Sequence, residues 1–414
     1  MNRSIFPALL FLILPALVHA QRVQMNDFLA TARNDARYKS GIELSTYVKG
    51  MNYALPLLQK VEFRMGADET SLAQRQYGIG LGFNSLVQRK EQFQYQNSLA
   101  ESLQKEAQVS FSAAVQERYL LIAQSIFLSE LLFAQNTLNE LFALKKKVLR
   151  SMLEGGIDVK VKDVILNESD QFELEKNIAQ NNLQYRQGLQ KAAYFWGSAL
   201  SEIDSSGLVS LETIADFAAK FNPDESISPN AAWRDAQIAL AKNEYRLEKA
   251  DENQLISTFQ LGVQENENAS AWQNPFFRLG IRIPIIPYNR LKYNDYFVNI
   301  RDIELKQNME NDRLRYNISL SAESLKQMIS DYRQQLNMQQ SSLTGQIRGN
   351  ARIMAEITAA EQIELQIIDQ KRVIDLVKTA NAIRQEYINL LMLSGKITSF
   401  PLRNYLRNDF AEWN

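Results

Sequence analysis

Between residues 276 and 297 an alternating strand passes through two prolines into a very long helix. Phe277, Leu279, Ile281 and Ile283 alternate with Arg278, Gly280 and Arg282, the period-2 pattern of a strand with one apolar and one wet face. Pro284 and Pro287 end the strand, and Pro287 suits the first turn of a helix, where its missing N–H costs nothing. A polar run of helical period follows, with no proline before Pro401.

The same design occurs two hundred positions earlier. Val61, Phe63 and Met65 alternate with Glu62, Arg64 and Gly66. After a polar loop, Tyr77, Ile79, Leu81 and Phe83 alternate with three glycines, which point to a tight bend or a crowded inner wall. Residues 89–153 then read as one helix of about 65 residues, roughly 100 Å long at 1.5 Å per residue. Its apolar marks (Leu99, Leu103, Ala107, Phe111, Leu121, Leu128) recur at helical spacing and predict a narrow packing seam. Gly155-Gly156 breaks it, and a second helix at 159–196 stops at Trp196-Gly197.

Offsets expose a duplication. Gly80 and Gly280, Phe83 and Ile283, and Asn84 and Pro284 are each 200 apart, and Trp196-Gly197 matches Ser394-Gly395 within two residues. The expected layout is a first repeat at 21–203, a connector at 204–229 with one short amphipathic helix, a second repeat at 230–395, and an irregular tail at 396–414. The first repeat carries a helical stretch at 25–59 and strands near 60–66 and 77–83. The second carries a helix at 231–252, strands near 256–264 and 276–284, and long helices near 288–353 and 358–393.

Composition removes whole classes of chemistry. Asn2-Arg3, an apolar stretch from Ile5 to Leu17 and Val18-His19-Ala20 have the form of a secretory signal over residues 1–20. The chain has no Cys, and its single His, His19, lies in that signal. A Ser-His triad, a Cys nucleophile and a His- or Cys-ligated zinc are thereby excluded. Carboxylate-only catalysis, as in glycoside hydrolases, remains open but fits poorly with so much uninterrupted helix. We expect no cofactor and no resident metal. The formal net charge of −1 gives no basic surplus for nucleic acid. No later segment is apolar enough for a membrane-spanning helix, which says nothing against a barrel.

Four strands with an apolar face cannot stand alone in lipid, because their edges leave backbone groups unpaired. Membrane barrels need at least about eight strands, so two copies would give eight and three would give twelve. The fold expected is mainly α with a small membrane β-barrel contribution, the helices stacking end to end into a long tube. A soluble periplasmic coiled-coil scaffold or adaptor is the competing reading.

In this layout the chain resembles the TolC-like outer-membrane efflux proteins. The resemblance rests on the duplicated strand-strand-long-helix unit and on Gly280-Ile281-Arg282-Ile283-Pro284. It also rests on Gly155-Gly156-Ile157-Asp158 followed by Lys162-Asp163-Val164-Ile165, and on Phe195-Trp196-Gly197. It implies a homotrimer with a twelve-stranded outer-membrane barrel and a helical tunnel across the periplasm. It further implies passive export in a tripartite efflux or type I secretion system, joined to an inner-membrane pump by a periplasmic adaptor. Charged residues beside the helix turns would form the entrance: Asp158 and Asp163 at the first turn, and Arg352, Glu356 and Glu361 at the second. The second turn, Met354-Ala355-Glu356-Ile357, departs from the pattern in lacking glycine.

Each candidate also has a plainer reading. The acidic residues at the turns fit carboxylate rings or simple complements to helix dipoles. Arg352 suits a pair that holds the entrance shut or a solvated surface position. Glu62, Arg64, Arg278 and Arg282 suit a water-filled lumen or the wet face of a soluble sandwich. Tyr77, Trp272, Phe276, Tyr288 and Tyr293 suit interfacial girdles or ordinary packing.

Overall fold

The computed structural model describes residues 21–51, 55–68, 71–157, 159–223, 229–252, 256–264, 274–281 and 290–413. The expected signal at 1–20 and the candidates Asp158, Trp272, Arg282 and Tyr288 lie outside the described residues. Strand β1 (Gln21–Gln24) leads into α1 (Met25–Ala30), a 3-10 turn, and α2 (Ala36–Gly50). The hairpin β2 (Leu58–Asp68) and β3 (Ser71–Phe83) follows, then the long α3 (Leu86–Glu154) and its return α4 (Val161–Trp196). After β4 (Leu200–Asp204) and α5 (Leu211–Lys220) come α6 (Pro229–Glu252), β5 (Ile256–Gln264) and β6 (Pro275–Ile281). The chain finishes with α7 (Arg290–Gln340), α8 (Leu343–Gly349), α9 (Ala351–Glu356) and α10 (Ala359–Leu393).

One antiparallel sheet of order β2-β3-β5-β6 joins the two hairpins, and β2 and β6 are its edges. The helices repeat that lateral order. Near the sheet, α3 packs on α2 and α6, with α7 against α6; farther away α3 packs on α4 and α10, with α7 against α10. α3 therefore serves two stacked partners on each flank, and its burial is wider than the expected seam. Close approach is permitted by small residues. A Cβ added to Gly41 of α2 would come within 2.8 Å of Ala107 Cβ, and Ser45 Oγ donates to the Ala100 carbonyl at 2.7 Å.

Local hydrogen bonding alters several expected boundaries. The helical stretch expected at 25–59 is α1 and α2, which stops at Gly50, with β2 already begun at Leu58; the Asp35 side chain accepts the Arg37 N–H and starts α2 afresh. The hairpin strands extend into the polar loop, since Gly66 pairs with Gln76 and Ala67 with Arg75; ladder pairing overrides composition there. The helix expected at 288–353 ends at Gln340. Ser342 accepts from Gly345 N–H to start α8, and Asn350 accepts from Arg352 and Ile353 N–H to start α9. Such short polar side chains compete with the helix for its own donors.

The connector and the tail are not loose. β1 pairs in parallel with β4, and Asp204 takes hydrogen bonds from Arg22 at 2.7 Å and Gln24 at 2.6 Å. Ile214 and Ala218 of α5 are buried, as are Leu402, Leu406 and Trp413 of the tail. All join one core with Phe28, Leu29, Tyr119, Ile122, Ile318, Leu325 and Tyr387. Tyr119 Oη donates to the Arg403 carbonyl at 2.7 Å and accepts from Tyr405 N–H at 3.1 Å. These pieces form a belt around the middle of α3. A second core, with Leu138, Phe142, Leu174, Ile363 and Ile367, binds α3, α4 and α10 toward the far tip.

Candidate channel wall and entrance

Register sorts the sheet into two faces. Val61, Leu81, Phe259 and Leu279 form one row across four strands, and Phe63, Ile79, Leu261 and Phe277 the next. Among the described residues much of this face stays open: Phe63 is 81% exposed, Phe277 58% and, in the row beyond, Met65 80%. Tyr77 shares this face, opposite Met65 and Val263. Among the described residues no helix is long and apolar enough to cross a membrane.

The other face is polar and glycine-lined. Glu62 binds Lys60 at 2.6 Å and Arg64 at 2.7 Å. Arg278 lies in the same row as Glu62, Gly80 and Gln260, and donates to Gln76 Oε1 at 3.4 Å. Its guanidinium sits 4.9 Å from the Phe276 ring centre. Phe276 thus belongs to the polar face, unlike the girdle position proposed from sequence, because it alternates with Phe277 and folds over Gly262. A Cβ at Gly262 would come within 2.4 Å of that ring and of the Tyr77 carbonyl. Lys60 was missed, although its even position already matched Glu62 and Arg64.

At the far tip, Asp163 opens the first turn of α4 and Glu361 that of α10. The structure brings them together in a cleft of about 300 Å³ shared with Lys145, Asp170 and Glu364. Glu361 forms a capping box: it accepts from Thr358 N–H and Oγ1 at 2.8 Å each and returns its own N–H to Thr358 Oγ1. The Thr358 N–H, then its hydroxyl, hold the Glu361 carboxyl below the usual carboxylate range. Arg352 does not reach the cleft. It meets Glu356 within α9 at 3.8 Å, both side chains largely exposed, and a pair of that kind is worth about 0–1 kcal/mol.

Cross-links between helices at the tip were invisible in the sequence. Lys145 of α3 pairs with Glu364 of α10, Lys371 of α10 with Asp170 of α4 at 2.9 Å, and Lys146 with Glu168 at 2.9 Å. Arg372 holds the α7–α8 break through Ser342 at 3.0 Å and Thr344 at 2.6 Å. Most of these partners are far apart in the chain, so no local pattern announces them.

No family model matches the chain, and no curated protein is similar to it in sequence. Solved structures do match along most of the length. CusC, described as forming a transmembrane channel, is 12% identical with a TM-score of 0.62, covering 89% of this chain and 91% of its own. The Campylobacter jejuni CmeC outer membrane channel is 10% identical with a TM-score of 0.61, covering 90% and 85%. The open state of the Neisseria gonorrhoeae MtrE outer membrane channel is 10% identical with a TM-score of 0.59, covering 94% and 90%. The chain has a TolC-like fold. In this TolC-like fold the two-faced sheet and the charged tip lie at opposite ends of a long helical body.

Proposed function

We infer that the chain is one subunit of a trimeric outer-membrane export duct. The observation that carries this reading is the sheet: four strands, two open edges and an apolar face much of which stays open among the described residues. In water such a surface would aggregate; in a bilayer, copies joined edge to edge satisfy both the backbone and the lipid. Three copies give twelve strands, the number the TolC-like resemblance implies. The polar face then lines the bore, with Glu62, Arg64 and Arg278 in its wall. Tyr77 would belong to its rim; the lumen candidate Arg282 and the interface candidates Trp272 and Tyr288 lie outside the described residues.

The helices support the same closure. On α7, Leu291, Val298, Leu305, Met309, Tyr316 and Leu320 are exposed and fall within a roughly 60° arc at about 100° per residue. On α4, Val161, Ile165, Phe172, Leu183 and Tyr194 are exposed and occupy an arc of similar width. α7 and α4 stand on opposite flanks, so each copy offers one stripe to each neighbour. Four helices per copy at each height give twelve; at about 10 Å between axes they close a ring about 38 Å across.

The tip, with Asp163, Glu361 and the more exposed Arg352 and Glu356, is the periplasmic entrance, narrowed by the ion pairs between helices; Asp158, a candidate for the same entrance, lies outside the described residues. The duct moves its cargo passively, and an inner-membrane pump supplies the drive through a periplasmic adaptor. The chain extracted in mild detergent is expected to weigh three copies and to give ion conductance in planar bilayers. A monomer, or a chain that stays soluble without detergent, would overturn the reading.

A further inference from the structure

A groove of about 760 Å³ opens where the apolar face of the sheet meets the helices. Phe259 and Leu279 supply its wall from β5 and β6, and Leu86 and Val87 from the start of α3. Leu86 and Val87 point largely into solvent, 72% and 60% exposed, so the groove is greasy and open. It lies on β5 and the edge strand β6 and on α3 and α6, away from α4 and α7.

Its rim carries three charges. Arg246 and Lys249 stand one turn apart on α6, both exposed, and Glu91 faces them from α3. Arg246 makes one described hydrogen bond, to Asn243 Oδ1 at 3.4 Å. Among the described residues neither cation meets a carboxylate. Glu91 Oε2 is fully enclosed and accepts no hydrogen bond, a costly condition for an ionised oxygen. On the neighbouring face of α6, Tyr245 packs against Tyr293 at 5.5 Å and Phe297 at 5.0 Å. Amphipathic rings at that height suit a membrane–water boundary.

We propose that this groove holds one zwitterionic aminophospholipid per chain. Its acyl chains run along Phe259, Leu279, Leu86 and Val87. Its phosphate is met by Arg246 and Lys249, a basic pair of the kind that binds lipid headgroups. Its primary ammonium pairs with the Glu91 carboxylate in the groove lining. The pattern of two cations and one anion selects a headgroup bearing both signs; a purely anionic lipid would leave Glu91 facing a like charge. The inference rests on reading the sheet as a membrane wall.

The test incorporates the full chain into vesicles of phosphatidylethanolamine, phosphatidylcholine or phosphatidylglycerol, floats them on a density gradient, and weighs lipid retained after detergent extraction. The expected result is about one phosphatidylethanolamine per chain. Phosphatidylcholine is retained less, because its quaternary ammonium has no N–H for Glu91. R246Q/K249Q should lower retention about tenfold with the oligomer intact, and E91Q should abolish the preference over phosphatidylglycerol. Equal retention of all three lipids, a preference for phosphatidylglycerol, or unchanged retention in R246Q/K249Q would overturn the proposal while flotation upholds the membrane wall. A chain that floats with no vesicle defeats the wall and the lipid site together.

Discussion

Arg118 is 1% exposed beneath the belt. Its Nη1 donates to Asp35 Oδ2 at 2.9 Å and to the Ala114 carbonyl at 3.1 Å, and its guanidinium lies 3.9 Å from the Phe195 ring centre. One side chain thereby ties the start of α2, the middle of α3 and the end of α4. Removing it leaves the buried Asp35 carboxylate to Arg37 alone, so Arg118→Ala should cost about 1–3 kcal/mol in denaturant unfolding; a loss under about 0.5 kcal/mol would mean that Arg37 and water already satisfy Asp35. Burial alone would raise the Asp35 pKa, but hydrogen bonds from Arg37 and Arg118 outweigh it and hold the carboxyl below its ordinary 3.8. A depressed folded pKa contributes stability that is present above about pH 4 and fades as pH falls through the lower folded value. The melting temperature should therefore fall faster below pH 4 in the natural chain than in Asp35→Asn.

Among the elements, the strands were the most legible. Their period of two fixes which residues share a face, so Val61, Phe63, Phe277 and Leu279 could be placed on one side before any register was known. The faces make opposite demands. Phe63→Arg puts a charge on the uncovered apolar side and should cost about 2–4 kcal/mol if that row sits near the bilayer midplane, whereas Gln260→Arg on the polar side should be tolerated. Heat-dependent gel migration of the two variants separates them, and equal damage from both would refute the assignment of faces. Helix ends were less legible. Ser342 and Asn350 break the long helix through single side-chain hydrogen bonds, and nothing in the surrounding helical period distinguishes them from the serines and asparagines that α3 carries without breaking. Thr358 and Glu361 have the capping-box spacing, and α10 starts beside them at Ala359.

At the scale of the molecule, the very long helices were legible in the sequence, but the belt was not. β1, β4, α5 and the tail are short, polar-flanked segments that acquire order only by meeting the buried middle of α3, and contacts such as Tyr119 with Arg403 are 284 positions apart. The tip cleft was half legible: Asp163 and Glu361 were named, while Lys145, Lys371 and Arg372 needed the folded chain. Assembly is testable at this scale through the α7 stripe. M309D/Y316D should leave secondary structure unchanged by circular dichroism yet reduce the extracted complex to fewer than three chains; a normal complex would show that α7 faces away from its neighbours.

The flanks of the slab differ, α7 on one side and α2 with α4 on the other, and unlike flanks give a circle a direction of travel. In the proposed trimer, a chain spoiled at α7 alone would still be accepted by a sound partner through its intact side, then offer nothing to the next arrival. With altered and natural copies made together, each spoiled one would strand healthy companions in broken arcs, and damage on a single flank would be inherited as a dominant defect.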